Sequence, residues 1–149
     1  MEYSEVCFLM SEYNNWDQTW YEKGIRASME KWGVPAASID AYIAGLPAAS
    51  EATVRTQKYI ALYMQPHEAW TEYRRTGYPK TLVMPNTTYT SSAGTAYSFV
   101  PLVVDAKDLP DRIGFSQSEQ LLNVDGYKSG VEKLGGADNM LTKLWLFKK

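Results

Sequence analysis

Residues 65–79 write out both ends of a short helix, and no other stretch of the chain is specified so tightly. Pro66 suits the first helical position, where its missing N–H costs nothing, and Glu68 lies near the positive end of the helix dipole. Arg74 and Arg75 fall in the last turn, Gly77 is able to take the left-handed conformation past the end, and Pro79 forbids continuation. Trp70, Tyr73 and Arg74 then share one face at i, i+3, i+4 spacing. Two readings follow. Either the stripe is a platform for a flat, polar ligand such as a sugar ring, or the helix is structural and its Arg meets a buried carboxylate or the carbonyls of another helix end. Aromatic–Arg stripes are mostly packing devices, which favours the structural reading.

The chain before this helix carries the 3.6-residue period repeatedly. Residues 3–15 place Tyr3, Val6, Cys7, Met10 and Tyr13 on one side, widened by Phe8 and Leu9, so this helix is expected to lie centrally. Asn14 and Asn15 break it, Asp17 caps a second helix reaching about Trp32, and Gly33 with Pro35 stops that one. Its inward set is Tyr21, Ile25, Ser28, Met29 and Trp32, while Glu22, Arg26 and Glu30 mark its outer face. Two antiparallel helices so joined form a hairpin of the tetratricopeptide kind, without a second copy to make an array. Ser38 is expected to cap a third helix with Ile39, Tyr42 and Ile43 inward. Ser50 with Glu51 starts a fourth, lined by Val54, Gln57, Ile60, Ala61 and Met64. The class is mainly α, with short helices and one long irregular loop.

That loop runs from 78 to 111. Pro79, Pro85, Pro101 and Pro110, with a run of Asn, Thr, Ser and Gly between 86 and 95, exclude a long helix. Residues 81–84 and 97–100 read as short extended pieces that could pair. Tyr89 and Tyr97, set among small polar residues, are the candidates for a wet contact surface, with a mobile crossover loop as the alternative. A helical turn at 118–122 follows. Asn123 is then expected to cap a helix with Val124, Tyr127, Val131 and Leu134 inward, ended by Gly135 and Gly136. Leu141, Leu144, Trp145 and Phe147 are expected to tuck the terminus back onto the helical core. The whole of 1–149 is taken as a single domain, with a helical core over 1–77, the irregular loop over 78–111 and a C-terminal helix and tail over 112–149.

Composition limits the chemistry. A formal charge of −2 gives no electrostatic footprint for nucleic acid or an anionic membrane. The 11 Tyr and 5 Trp are many for 149 residues, as in sugar binders and interfaces, though a helical core also absorbs aromatics. One His, His67, and one Cys, Cys7, fall short of a zinc site, and neither has the partners a nucleophilic triad needs. Glu68 and Glu72 lie on one helix face, where a solvated surface is the default for carboxylates. No phosphate-binding glycine fingerprint occurs. No catalytic residue, cofactor or metal is expected. The polar, acidic residues 1–6 lack the features of a signal peptide, which makes Cys7 a buried helix residue rather than a lipid anchor.

Residues 56–64, TQKYIALYM, followed by EAWTEYRRTGYP at 68–79, closely resemble the "QKWIALF…EAW…WRRTGYP" pattern of the SusD/RagB family of nutrient-binding outer-membrane lipoproteins of Bacteroidetes. Residues 109–123, LPDRIGFSQSEQLLN, resemble that family's "IPRRLPYPQSE…N" segment, and 135–145, GGADNMLTKLW, resemble its terminal "GGDD…TKLWW" signature. The chain departs at Asp111, where the family often has Arg, and at Ser116, where it often has Pro. Family members are several times longer, and the matching motifs belong to their C-terminal portion. The resemblance implies capture of oligosaccharides at the cell surface, transfer to a TonB-dependent porin partner of the SusC kind, and no catalysis. It also implies that a signal and lipid anchor belong to a portion outside this chain. The motifs read as scaffold, which leaves Trp16, Tyr89 and Tyr97 as the candidate sugar contacts. A structural or protein-interaction module, whose uncovered apolar faces pack on a missing portion, a porin or a second copy, is the alternative.

Overall fold

Ser11 controls how the first two helices turn back on each other. Its carbonyl accepts the N–H groups of Trp16 (2.7 Å) and Asp17 (3.1 Å), and its hydroxyl donates to the Asp17 carbonyl at 2.8 Å. Asn15 and Trp16 take left-handed φ values of 55° and 65° to make that reversal. Asp17 Oδ1 then accepts the Trp20 N–H at 2.9 Å, the cap read from the sequence. The structure is a computed structural model that describes residues 1–102 and 106–147. It divides into two units, Met1–Thr81 and Leu82–Lys149.

The first unit consists of α1 (Tyr3–Tyr13), α2 (Gln18–Lys31), α3 (Ala36–Ala44), α4 (Glu51–Ala61) and α5 (Pro66–Thr76). Helix α1 packs on α2 and α4 around Phe8, Tyr21, Ile25, Val54 and Ala61, with Trp16, Met29 and Ile43 closing the edges. The face that α1 buries differs from the expected one. Ser4, Cys7, Phe8 and Ser11 point inward, while Tyr3 and Tyr13 are 65% and 84% exposed. Small residues explain the rotation. Ser4, Cys7 and Ser11 let α2 come close, and Gly24 of α2 lies so near the Phe8 ring that a Cβ there would sit 2.8 Å from it.

Helix α3 begins at Ala36 after Pro35, two residues before the expected Ser38 cap, because proline's fixed φ already suits a helix entry. Its Ile39 is fully buried as expected, whereas Tyr42 is exposed and accepts a hydrogen bond from Gln57 Nε2 at 2.8 Å. Helix α4 opens on a reciprocal cap between Ser50 and Thr53: Ser50 Oγ accepts the Thr53 N–H, and Thr53 Oγ1 accepts the Ser50 N–H. Val54 and Ala61 are inward as expected, but Ile60 and Met64 are exposed and Lys58 is buried instead. Helix α5 starts at Pro66 and ends on Gly77 at φ 71°, whose N–H reaches the Tyr73 carbonyl at 2.6 Å.

In the second unit, β1 (Thr88–Thr90) and β2 (Ala96–Ser98) form a hairpin, followed by α6 (Gln117–Leu122), α7 (Val124–Leu134) and a 3₁₀ turn at Trp145–Phe147. The pairing partner of the 97–100 piece is therefore 88–90 and not 81–84, since a five-residue connection lets neighbouring strands pair at once. A buried ion pair, Arg112 Nη1 to Asp138 Oδ1 at 2.6 Å, ties the 109–123 motif to the terminal one. Asp138 Oδ1 also accepts the Phe115 N–H at 3.1 Å, and the Asp111 N–H donates to the Met140 carbonyl at 2.7 Å. Phe115 meets Tyr127 edge to face, with Gly130 beneath it. Asn123 precedes α7 but does not cap it with its side chain, which donates to Glu119 Oε2 instead. Trp145 is 80% exposed.

Candidate functional site

The hairpin gathers the hydroxyl-rich run and both loop tyrosines. Ser91 builds its turn: the Ser91 N–H donates to the Thr95 carbonyl, the Gly94 N–H to the Ser91 carbonyl, and the Thr95 N–H to Ser91 Oγ. Gly94 sits at φ 80°, a conformation that a side chain would strain. The register sets Tyr89 opposite Tyr97, and their rings stack with centroids 6.0 Å apart and planes 25° from parallel. Thr88 and Ser98 pair through their hydroxyls at 2.7 Å on the other face of the same hairpin.

The two tyrosines differ in freedom. The Tyr89 hydroxyl accepts the Met84 N–H at 2.8 Å and donates to the Leu82 carbonyl at 3.4 Å, which fixes its ring between the 82–84 segment and Tyr97. Tyr97 is 46% exposed. Asn86, at φ 58°, holds the base of the hairpin, donating from its backbone to the Phe99 carbonyl and from its side chain to the Ala106 carbonyl. The result is one ring held from behind and one ring presented. Such an array offers an apolar face and hydrogen-bonding edges to a flat polar ring. A cavity of about 260 Å³ in the same unit is lined by Pro85, Phe99, Pro101, Leu109, Met140 and Leu141 among others, an apolar lining with few groups to orient a polar ligand.

Trp16 lies in the first unit. It is half-buried, packed against the Phe8 cluster, with the Arg55 guanidinium carbon 5.2 Å from its ring centroid. The α5 stripe is a packing device for the most part: Tyr73 is buried, Arg74 lies 4.5 Å over the Tyr73 ring, and Trp70 is 36% exposed.

Arg75, next to that stripe, has carboxylate partners on two helices. Its guanidinium donates to both Glu12 oxygens of α1 (3.0 and 2.9 Å) and to Glu72 of its own helix (2.8 and 3.2 Å). Lys58 meets Glu72 Oε2 at 3.0 Å, both side chains nearly fully buried, and Arg55 meets Glu12 at 3.1 Å. The Arg75 hydrogen bonds, followed by those of Arg55, hold the Glu12 carboxyl below the usual carboxylate range, and Glu12 in turn raises Arg75 further above the range in which it would titrate. Sequence reading missed Lys58 and Glu12. Lys58 stands inside the QKYIAL motif, and a lysine in the middle of an otherwise apolar motif is the signal that was there to be read.

His67 and Glu68 are exposed at the start of α5. Among the described residues no three His, Cys, Asp or Glu side chains gather as metal ligands do, and no helix is long and apolar enough to cross a membrane.

A family model described as SusD-like, the SusD and RagB outer membrane lipoproteins, matches residues 48–147. Among solved structures, a SusD-like protein of Bacteroidetes is 30% identical with a TM-score of 0.78 over 100% of the chain. A chitin-binding SusD homolog from Flavobacterium johnsoniae is 27% identical over 98% of the chain, with a TM-score of 0.67. A SusD homolog from Bacteroides fragilis is 25% identical over 98%, with a TM-score of 0.69. The chain spans about a third of the length of these structures: 30%, 36% and 34%. No curated protein matches it. The matched motifs, the helical hairpin and the agreement along the whole chain have one reading: the protein belongs to the SusD-like family.

Proposed function

We propose that the chain captures oligosaccharides as part of a SusD-like cell-surface system at the outer membrane, without bond chemistry, and that a TonB-dependent porin of the SusC kind receives the sugar. In this reading the five-helix unit is scaffold, and the Tyr97 ring, backed by Tyr89, is the sugar-stacking surface. Trp16 is the weaker contact, since Arg55 and the core occupy much of it. The observation that carries the proposal is the stacked pair itself: Tyr89 is tied down by two hydrogen bonds, so Tyr97 is presented on a fixed support. Two solved relatives described as chitin-binding, similar over 99% and 98% of the chain, support glycan as the ligand class and make chitin oligosaccharides the first probe.

Calorimetric titration of chitin and starch oligosaccharides into the full chain tests the reading. Saturable binding that Tyr97→Ala weakens about tenfold, the equivalent of ~1.4 kcal/mol for a lost stacking face, is the expected result. Binding that Tyr97→Ala leaves intact, or no glycan bound at all, goes against it. A second reading, a structural module that binds no glycan itself, is favoured by the exposed apolar face of α1.

A further inference from the structure

Within the first unit, α2, α3 and α4 surround a cavity of about 180 Å³ that the scaffold role leaves without a purpose. Phe8 and Ile25, both buried, make its floor, and Met29 and Ile60 complete the apolar side. Its polar groups are Ser28, Tyr42 and Gln57, one from each of the three helices, and none of the lining residues is charged. Gln57 Nε2 donates to Tyr42 Oη at 2.8 Å. The tyrosine therefore keeps its own O–H to donate, and Gln57 Oε1 remains beside it as an acceptor. The volume lies below the roughly 300–1,000 Å³ of sites for drug-sized molecules, so the cavity takes a single side group or ring. Its uncharged lining selects a neutral group, because nothing there would pair with an ion. A secondary acetamide meets each of these demands. Its carbonyl accepts from Tyr42, its N–H donates to Gln57, and its methyl covers the Phe8 and Ile25 floor.

We infer that this cavity seats the acetamido group of a neutral N-acetylated sugar, with Tyr63 stacked on an adjoining ring of the same oligosaccharide. Two matching turns place Tyr63 there. The Trp32 N–H donates to the Met29 carbonyl and the Tyr63 N–H to the Ile60 carbonyl, each at 3.1 Å. Both aromatic residues thus lie one helical turn, about 5 Å, beyond the cavity on their respective sides. Their rings meet edge to face with centroids 6.1 Å apart, which joins the two sides at that end. Lys31 Nζ lies 5.1 Å over the Trp32 ring, and Tyr63 is 76% exposed, so Tyr63 is the ring open to a sugar face. A sugar with a hydroxyl in place of the acetamide leaves the apolar floor uncovered and is discriminated against. The inference rests on the reading of the chain as a glycan binder and adds a contact made of other residues than Tyr89 and Tyr97.

Methyl NMR of the full chain supplies the test, with the Met29 and Ile60 methyl signals as reporters. N-acetylated chitotetraose is added to one sample and cellotetraose, which has hydroxyls where the first has acetamides, to another. The expected result is that chitotetraose moves both methyl signals along one isotherm and that cellotetraose leaves them in place. Tyr42→Phe removes the donor, and Tyr63→Ala removes an exposed ring that the fold does not need. Each should weaken that isotherm about fivefold while melting stays within about 2 °C of the unaltered chain. Tyr97→Ala should leave the methyl shifts intact, so failure of the hairpin surface and failure of this cavity give different results. Methyl signals that stay still at millimolar chitotetraose would overturn the inference. So would equal shifts with cellotetraose, or shifts that persist undiminished in both Tyr42→Phe and Tyr63→Ala.

Discussion

Gly24 and Tyr89 show how much of this protein depends on single contacts. Gly24 exists to let the Phe8 ring lie against the α2 backbone, so Gly24→Ala should overpack the core. We expect a loss of roughly 1–3 kcal/mol, read as a fall in the denaturation midpoint with an unchanged slope. Tyr89→Phe keeps the ring but deprives the Met84 N–H of its acceptor, which should cost about 1 kcal/mol locally. Hydrogen exchange at residues 82–98 is the measurement, with faster exchange there and none gained in α1. The sequence pointed to Tyr89 and Tyr97 together, through their setting among small polar residues. It did not show their different roles, because those depend on backbone groups at 82 and 84 that only the folded loop brings to one hydroxyl.

Helix α5 was legible at both ends because Pro66, Gly77 and Pro79 act through local backbone geometry. Its partners were not. Lys58 is buried because Glu72 comes from another helix, and Glu12 is fixed by arginines far along the chain. Periodicity finds apolar faces, and a buried ion pair breaks the pattern it relies on. The α1 face was misjudged for a related reason: hydropathy ranked Tyr3 and Tyr13 above Ser4 and Ser11, whereas close helix approach selected the small residues. Removing one partner of the buried pair leaves the other charged and unpaired, so Glu72→Gln should cost about 3 kcal/mol, while Lys58→Met with Glu72→Leu should restore most of it. Glu12 adds a pH term. Its carboxyl ionises at lower pH in the folded chain than in the unfolded one, so below about pH 4.3 the unfolded chain takes up a proton first and stability falls. Glu12→Gln should lower stability at neutral pH and flatten that acid limb, as thermal melts between pH 3 and 7 would show.

At the scale of the molecule, the motifs over 56–79, 109–123 and 135–145 sit on contacts that hold elements together: the Lys58–Glu72–Arg75–Glu12 network in one unit and the Arg112–Asp138 pair in the other. Contacts of this kind fix the fold and not a ligand. The mainly α class and the family could therefore be read from the chain, while the hairpin register could not, since three-residue strands carry too short an alternation to fix their partner. In the proposed function the helical unit holds shape while Tyr97, supported by Tyr89, touches the sugar. Aromatic NMR spectra of chain carrying ¹³C-labelled tyrosine, followed while chitin oligosaccharide is added, test this most directly. The ring signals of Tyr97, and more weakly Tyr89, should move with a single saturating isotherm while those of buried Tyr21 and Tyr73 stay still. Shifts confined to the tyrosines of α1 and α4, with Tyr97 unmoved at saturation, would contradict it.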